Sequence, residues 1–438
     1  YGQDSYAYLF QINHLETLTT QDAFYPPFYA FLGWIFKWIF QNPIFSLQWV
    51  SLLSWFGTGL LLYKIATQSL QLSNKIAGIG ILVLFTFSPF VMRMSLLVMS
   101  DSLALFMAVF SIYLGLFSKH KWAYALFFVV ATLALLTRYA LVPLLVPTLF
   151  LVIFRLFQKR SFKVWLSALM GISIGLTALL VNMFYWTSEN GSTQHSWLQL
   201  WDLRHYFNNS FDHQDGFVEY TLPNFVYVLK NLFHPIYALL LTPALFFFKK
   251  SDLKSVEIKI LLISYILYIL FLAGIPFQND RFLLPAFPFM LLVLLPSFVR
   301  LNKRLGKFKW LIWLVIPIQM VVFLRLIKPV YERNQLELYL FENLQPYSNK
   351  KIYSFDVDIA LAGRGLKAEW LNMWKENYST FYNDAFVLFN EKKFAEQWKG
   401  KNPMLNWEKL NKNYQLIPLH KLEQGWELFK IKDPIENP

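Results

Sequence analysis

The 438-residue chain is 56% hydrophobic and 19% aromatic but only 15% charged, well below the roughly 25% charged of a soluble domain, so a water-soluble core could not hide its apolar surface. Its net charge of +13 sits in short loops between long apolar runs, which excludes a nucleic-acid partner and makes the basic residues markers of topology. With no cysteine, the chain can form neither a disulfide framework nor a thiolate metal site.

The chain opens at Tyr1 in a polar stretch, and the pattern predicts a transmembrane helix ahead of it. Residues 1–43 read as a first outer loop with interfacial helices: after Tyr25-Pro26-Pro27, the stretch 28–41 is too short to span and carries Trp34, Lys37 and Trp38. Ten spans follow at 44–66, 77–95, 102–117, 122–136, 139–157, 164–186, 233–248, 259–276, 283–299 and 310–327. Lys119 and Lys121, Arg155–Lys163, Lys249–Lys259 and Arg300–Lys309 then fall on one side, the cytoplasmic one, and both chain ends fall outside. The expected fold is a polytopic α-helical membrane protein of about ten spans, eleven with the preceding one. Residues 44–328 form its transmembrane domain, which includes an outer loop at 187–232. After Pro329 the composition turns to mixed charge with β-like runs at Lys351–Phe355 and Ala385–Phe389, so 329–438 reads as a small extracytoplasmic α/β domain.

The polar residues that could carry chemistry gather on the outer side. Asp4 stands at a membrane–water boundary, where partial desolvation would make it a useful base; a cap or a solvated loop acid explains it as simply. Asp101 precedes an apolar helix and suits an N-cap, yet it returns to the same outer surface as Asp4. Arg138 and Arg281 depart from the positive-inside pattern. An outer arginine at headgroup depth suits a phosphate, through charge-assisted bidentate bonds, or a plain interfacial anchor; Asp280 beside Arg281 favours phosphate there. His195, His205 and His213 with Asp202, Asp212 and Asp215 in the loop 187–232 could offer ligands to a divalent metal, but their spacing matches no zinc signature and the metal requirement stays unknown.

Taken in order, these motifs resemble the GT-C superfamily of membrane glycosyltransferases, which includes protein O-mannosyltransferases and the aminoarabinose transferases of lipid A. Asp4-Ser5-Tyr6-Ala7-Tyr8 is similar to the acidic motif of the first outer loop, with Ser5 where many members have a second acid. Tyr25-Pro26-Pro27-Phe28-Tyr29 is similar to His-Pro-Pro-Leu-Tyr, with Tyr25 in the histidine position. Ser88-Pro89 followed by Ser100-Asp101-Ser102-Leu103, then Thr137-Arg138 and Asp280-Arg281-Phe282-Leu283-Leu284-Pro285, complete the likeness over roughly residues 1–300.

The resemblance implies inverting transfer of a sugar, mannose or another hexose, from a polyprenyl-phosphate donor to a hydroxyl on a lipid, glycan or protein acceptor. By the same resemblance Asp4 is the base, Asp101 the supporting acid, Arg281 and Arg138 the donor-phosphate contacts, and Tyr6, Tyr25 and Asp280 substrate contacts. The expected setting is a bacterial inner membrane with the site facing the periplasm, among membrane lipids and partners in an envelope complex. The rival reading is a non-catalytic or transport subunit of such a complex; spans nearly free of charge at their centres argue against transport.

Overall fold

A computed structural model describes residues 3–17, 25–118, 120, 122–159, 161–186, 200–213 and 216–434. The chain divides into two compact units: residues 11–207 with 222–327, and residues 1–10 with 208–221 and 328–438.

The first unit is helical. Helix α1 (Gln3–Thr17), which starts in the other unit, is followed by α2 (Phe28–Phe40) and α3 (Pro43–Gln68). The latter begins where Asn42 accepts from the Phe45 N–H at 3.1 Å and Pro43 takes the first position, where its missing N–H costs nothing. Next come α4 (Asn74–Ile81), extended in π geometry to Thr86, and α5 (Pro89–Leu96), bent from it by 66°. Pro89 cannot continue the preceding ladder, and the carbonyls freed at the break are met by the buried Gln319, whose Nε2 donates to Val83 O (3.2 Å) and Phe87 O (2.7 Å). Helices α6 (Asp101–Ile112, π-extended to Phe117), α7 (Ala123–Leu135), α8 (Val142–Gln158) and α9 (Phe162–Trp186) complete the N-terminal half.

In the second half, α10 (Asn224–Tyr227), α11 (Lys230–Phe233) and α12 (Leu241–Leu245) are short. A continuous span over 233–248 is therefore not found: Pro235 and Pro243 break the apolar run. The long helices resume with α13 (Val256–Ala273), then α14 (Asp280–Leu283), α15 (Phe287–Arg304) and α16 (Leu311–Leu344). Among the described residues, five helices are long and apolar enough to cross a membrane, or six if the bent α4/α5 pair counts as one span. The shorter apolar helices at Asp101–Phe117 and Ala123–Leu135 take the places of two further expected spans, and α15 carries Arg300, Lys303 and Arg304 in its last turns. Arg155 pairs with Glu257 at 2.7 Å and Arg300 with Asp252, which ties the basic loops 155–163, 249–259 and 300–309 together at one end of the bundle.

The other unit is built on a five-stranded sheet, with β3 (Lys351–Ser354), β4 (Glu369–Asn372), β5 (Phe386–Phe389), β6 (Tyr414–Lys421) and β7 (Glu427–Pro434) in the order β4-β3-β5-β7-β6. Pairing is parallel from β4 to β5 and antiparallel from β5 to β6. Its core joins Ile352, Val387, Leu388, Trp426 and Leu428 to Leu336, Leu340 and Leu344 of α16. Helix α16 thus runs through Pro329, where the composition changes, and its last turns belong to the sheet unit. Helices α17 (Asp358–Gly363), α18 (Glu391–Phe394) and α19 (Asn402–Asn413) cover the sheet. The hairpin of β1 (Ser210–His213) and β2 (Gly216–Glu219) docks here through Lys401–Asp212 at 2.7 Å and Phe217 N–H to Gln397 O at 2.8 Å.

The bundle includes one very close crossing. A Cβ at Gly171 of α9 would lie 2.3 Å from the Ala125 carbonyl oxygen of α7, and one at Gly175 would lie 2.5 Å from Thr132 Oγ1. Small residues four apart let the two backbones touch. Gly171→Ala is expected to force the helices apart and cost about 1–3 kcal/mol. Thermal unfolding of the detergent-solubilised protein measures this, and an unchanged midpoint would count against so close an approach.

Candidate functional site

Asp101 opens α6, where the helix dipole favours an acid. It is not capping the helix by itself: the carboxylate is completely buried and lies between two guanidinium groups. Arg138 Nη1 donates to Oδ1, and Arg281 donates to Oδ2 from Nε at 3.2 Å and Nη2 at 3.1 Å. A carboxylate removed from water in this way is tolerable only because both oxygens are met by charge.

The three residues come from distant segments, each fixed locally. Arg138 sits in extended backbone (φ −160°) just past α7, its N–H bound to Ala134 O at 2.9 Å, and the Phe28 N–H at the start of α2 holds Leu136 O at 3.0 Å. Arg281 lies in α14, where Asn279 Oδ1 accepts its N–H at 3.1 Å. The Arg138 guanidinium also stands 5.1 Å above the Phe282 ring, a cation–π contact. The Met99 carbonyl, two residues before Asp101, accepts from Ser51, which in turn bonds Tyr29 of the Tyr25–Tyr29 motif.

Around this triad a second set of charges gathers. Lys230 Nζ lies 2.9 Å from both oxygens of Asp280, so the Asp280 carboxylate has a protein partner of its own. Tyr237 donates to Asp280 O at 2.6 Å and Tyr268 to Phe282 O at 2.9 Å, which pins the turn carrying Arg281. Arg93, on α5, has a buried Nε with no hydrogen-bond partner among the described residues, and Asp280 and Arg281 are close enough to act on its charge. Arg93, Arg138, Lys230 and Arg281 thus face Asp101 and Asp280, a surplus of two positive charges. Arg138 and Arg281 keep 13% and 18% of their side chains accessible. Such a surplus, forked and partly dry, suits a phosphate-sized anion.

The remaining sequence-derived candidates belong to the other unit or have other partners. Asp4, half-buried in the first turn of α1, belongs to the sheet unit, as does Tyr6, whose ring is fully buried and whose hydroxyl donates to Glu337 at 2.7 Å. That bond occupies the Tyr6 hydroxyl expected to touch substrate. Tyr25 is half-buried and its carbonyl accepts from Gln11 at 2.8 Å. Among the described residues no three His, Asp or Glu side chains could hold a metal ion. Asp202 binds Arg204, His205 Nδ1 lies 2.8 Å from Gly274 O, and Asp212 pairs with Lys401. His195, Asp215 and the His213 side chain lie outside the described residues, as do Lys119 and Lys121.

Sequence reasoning missed Arg93, Lys230 and Tyr237. Arg93 had a usable signal, a lone arginine inside an apolar run read as a span, where an ionisable residue marks function by default.

A family model described as dolichyl-phosphate-mannose-protein mannosyltransferase matches residues 25–186, a segment that includes the Tyr25–Tyr29 motif, Arg93, Asp101 and Arg138. The fold is similar to that of ArnT from Cupriavidus metallidurans in the apo state, at 11% identity and a TM-score of 0.59. It is equally similar to the same protein bound to undecaprenyl phosphate, at 11% identity and a TM-score of 0.62. Both comparisons cover 98% of this chain and 93% of the other. No curated protein matches the sequence. The family model thus covers the N-terminal part of the helical unit, and at 11% identity the two solved structures show a shared fold.

The triad predicts a stability effect. Asp101→Asn keeps the shape but leaves two guanidinium groups without their anion, and is expected to cost about 3–5 kcal/mol. A thermal midpoint in detergent equal to the parent's would show that the carboxylate charge is not needed to hold the segments together.

Proposed function

We propose that this protein moves a sugar, mannose or another hexose, from a polyprenyl-phosphate donor to a hydroxyl acceptor with inversion at C1. The carrying observation is the surplus of positive charge around the buried Asp101 carboxylate. ArnT bound to undecaprenyl phosphate supports a phosphate on a polyprenyl tail as the donor's leaving group, and the matched family model supports mannose. The site is assigned to the outer face of a bacterial inner membrane, opposite the basic loops.

In this reading the lipid tail stays between helices while the donor phosphate meets Arg281, Arg138 and Arg93. Asp101 acts as the supporting acid: it holds the two guanidinium groups in position before the donor arrives, so little reorganisation is needed as charge develops on the leaving phosphate. Asp4 withdraws the acceptor's proton as the hydroxyl attacks C1. The acceptor oxygen bonds to C1, the C1–O bond to phosphate breaks, and the phosphate leaves with the electron pair. Asp280, held by Lys230, lines the same region as a substrate contact, and Tyr25 is a second such contact from the N-terminal motif.

The test is transfer by the purified protein from a panel of polyprenyl-phosphate sugars. Asp4→Asn should lower turnover by about 10²-fold or more with donor binding largely kept. Arg281→Ala and Arg93→Ala should weaken donor binding, each losing charge-assisted bonds worth about 1.5–3 kcal/mol, and Arg281→Lys should recover only part because it restores charge without the fork. Parent-like transfer in Asp4→Asn and Arg281→Ala would remove those two residues from their assigned roles, whereas no transfer by the parent from any donor of the panel would favour a non-catalytic subunit instead.

Sidedness has its own test, helped by the absence of native cysteine. In sealed cells, a cysteine placed at Ser379 should react with an impermeant maleimide and one at Ser251 should not; the reverse pattern would overturn the assigned face.

A further inference from the structure

The opening of α1 belongs to the sheet unit, and one buried side chain holds it there. Tyr6 is fully buried and donates to Glu337 Oε2 at 2.7 Å; Glu337, on α16, is itself completely buried. The same oxygen accepts from Arg364 Nη2 at 3.0 Å, and Oε1 accepts from Arg333 Nε at 2.8 Å. Arg364 also donates to Asn334 Oδ1 at 2.7 Å, and Arg333 continues to Asp356 Oδ2 at 2.8 Å and the Asp356 carbonyl at 2.9 Å. A second observation is steric. The Tyr6 ring packs against Gly363, where a Cβ would fall 2.3 Å from Cδ1. Phenol, carboxylate and guanidinium groups from α1, α16 and the end of α17 therefore meet around the fully buried Glu337.

Such a cluster is a poor source of stability, because well-packed apolar side chains of similar volume serve as well or better. What it supplies is a fixed geometry. Burial, with the Glu337 charge adding to it, pushes the Tyr6 phenol above its ordinary range, so it stays a neutral donor at any physiological pH. Asp4 lies two residues earlier, about 200° around the same helix. Whatever fixes the rotation and height of Tyr6 therefore constrains Asp4 on the same first turns of α1 as well.

We propose that Tyr6, clamped by Glu337 and Arg364 and seated on Gly363, is a positioning residue that sets the place of the Asp4 carboxylate. The proposal rests on the reading of Asp4 as the base. It also reassigns Tyr6 from substrate contact to support.

The experiment is a double-mutant cycle of Tyr6→Phe with Asp4→Asn, read as kcat and KM for donor and acceptor, together with hydrogen exchange of the α1 amides. Tyr6→Phe keeps the ring and loses only the hydroxyl, and should lower kcat by about 10–100-fold with donor KM within about twofold, since a displacement near 1 Å costs that much. In the Asp4→Asn background the same change should cost less than about twofold, because the residue acts through Asp4. Gly363→Ala, which pushes the ring without touching a charge, should reproduce the kcat loss, and both variants should speed exchange in α1. An equal loss of kcat in both backgrounds, or unchanged α1 exchange in Tyr6→Phe, overturns the positioning role while leaving the base reading intact. Parent-like turnover in Asp4→Asn overturns the base reading itself, whatever the exchange shows.

Discussion

A single carboxylate with no access to water organises the helical unit. Asp101 cannot be buried without cations, and the cations it uses come from the end of α7 and from α14, 37 and 180 residues further along the chain. Each guanidinium, mostly buried, would be costly without it. The need to pair three ionic groups therefore dictates that three helix ends meet, and the aromatic and backbone contacts around Phe282, Tyr237 and Tyr268 refine where they meet.

That arrangement also explains why the site is pre-charged instead of neutral. A carboxylate between two arginines leaves one positive charge over, and Arg93 and Lys230 against Asp280 leave another. A site poised in this way has its dipoles and charges set in advance, which is the condition under which electrostatic stabilisation of a developing anion is most effective. Lys230 is already committed to Asp280, whereas Arg93 Nε has no hydrogen-bond partner among the described residues, so the two cations are not equivalent in what they can offer a ligand.

How much of this was legible depended on sequence distance. Asp101, Arg138 and Arg281 stood out because they occupy span ends on the face where basic residues are scarce, whereas Ser88-Pro89 lay inside the continuous span expected at 77–95, which the structure bends by 66°. Their mutual pairing left no trace in the sequence, since a pairing across 180 residues has no periodicity. Arg93 was hidden by its apolar neighbours Met92 and Met94, and the run 233–248 looked like a span because hydropathy outweighed Pro235 and Pro243. The β-runs at 351–355 and 385–389 were visible from alternation and β-branched or aromatic content, and both are strands. The composition change at Pro329 falls within a residue of the division between the two units, although α16 runs on through it.

The Tyr6–Glu337 bond closes a loop of 331 residues, and this has a consequence for biogenesis. At synthesis rates of about 5–20 residues per second, the first residues wait roughly 20–60 s for the carboxylate they will be buried against. Throughout that interval Tyr6 and Tyr8, both without access to water in the finished protein, have no completed unit to enter. The sheet unit thus cannot mature before α16 is made, and by this bond the arrival of α16 decides when Tyr6 can be buried.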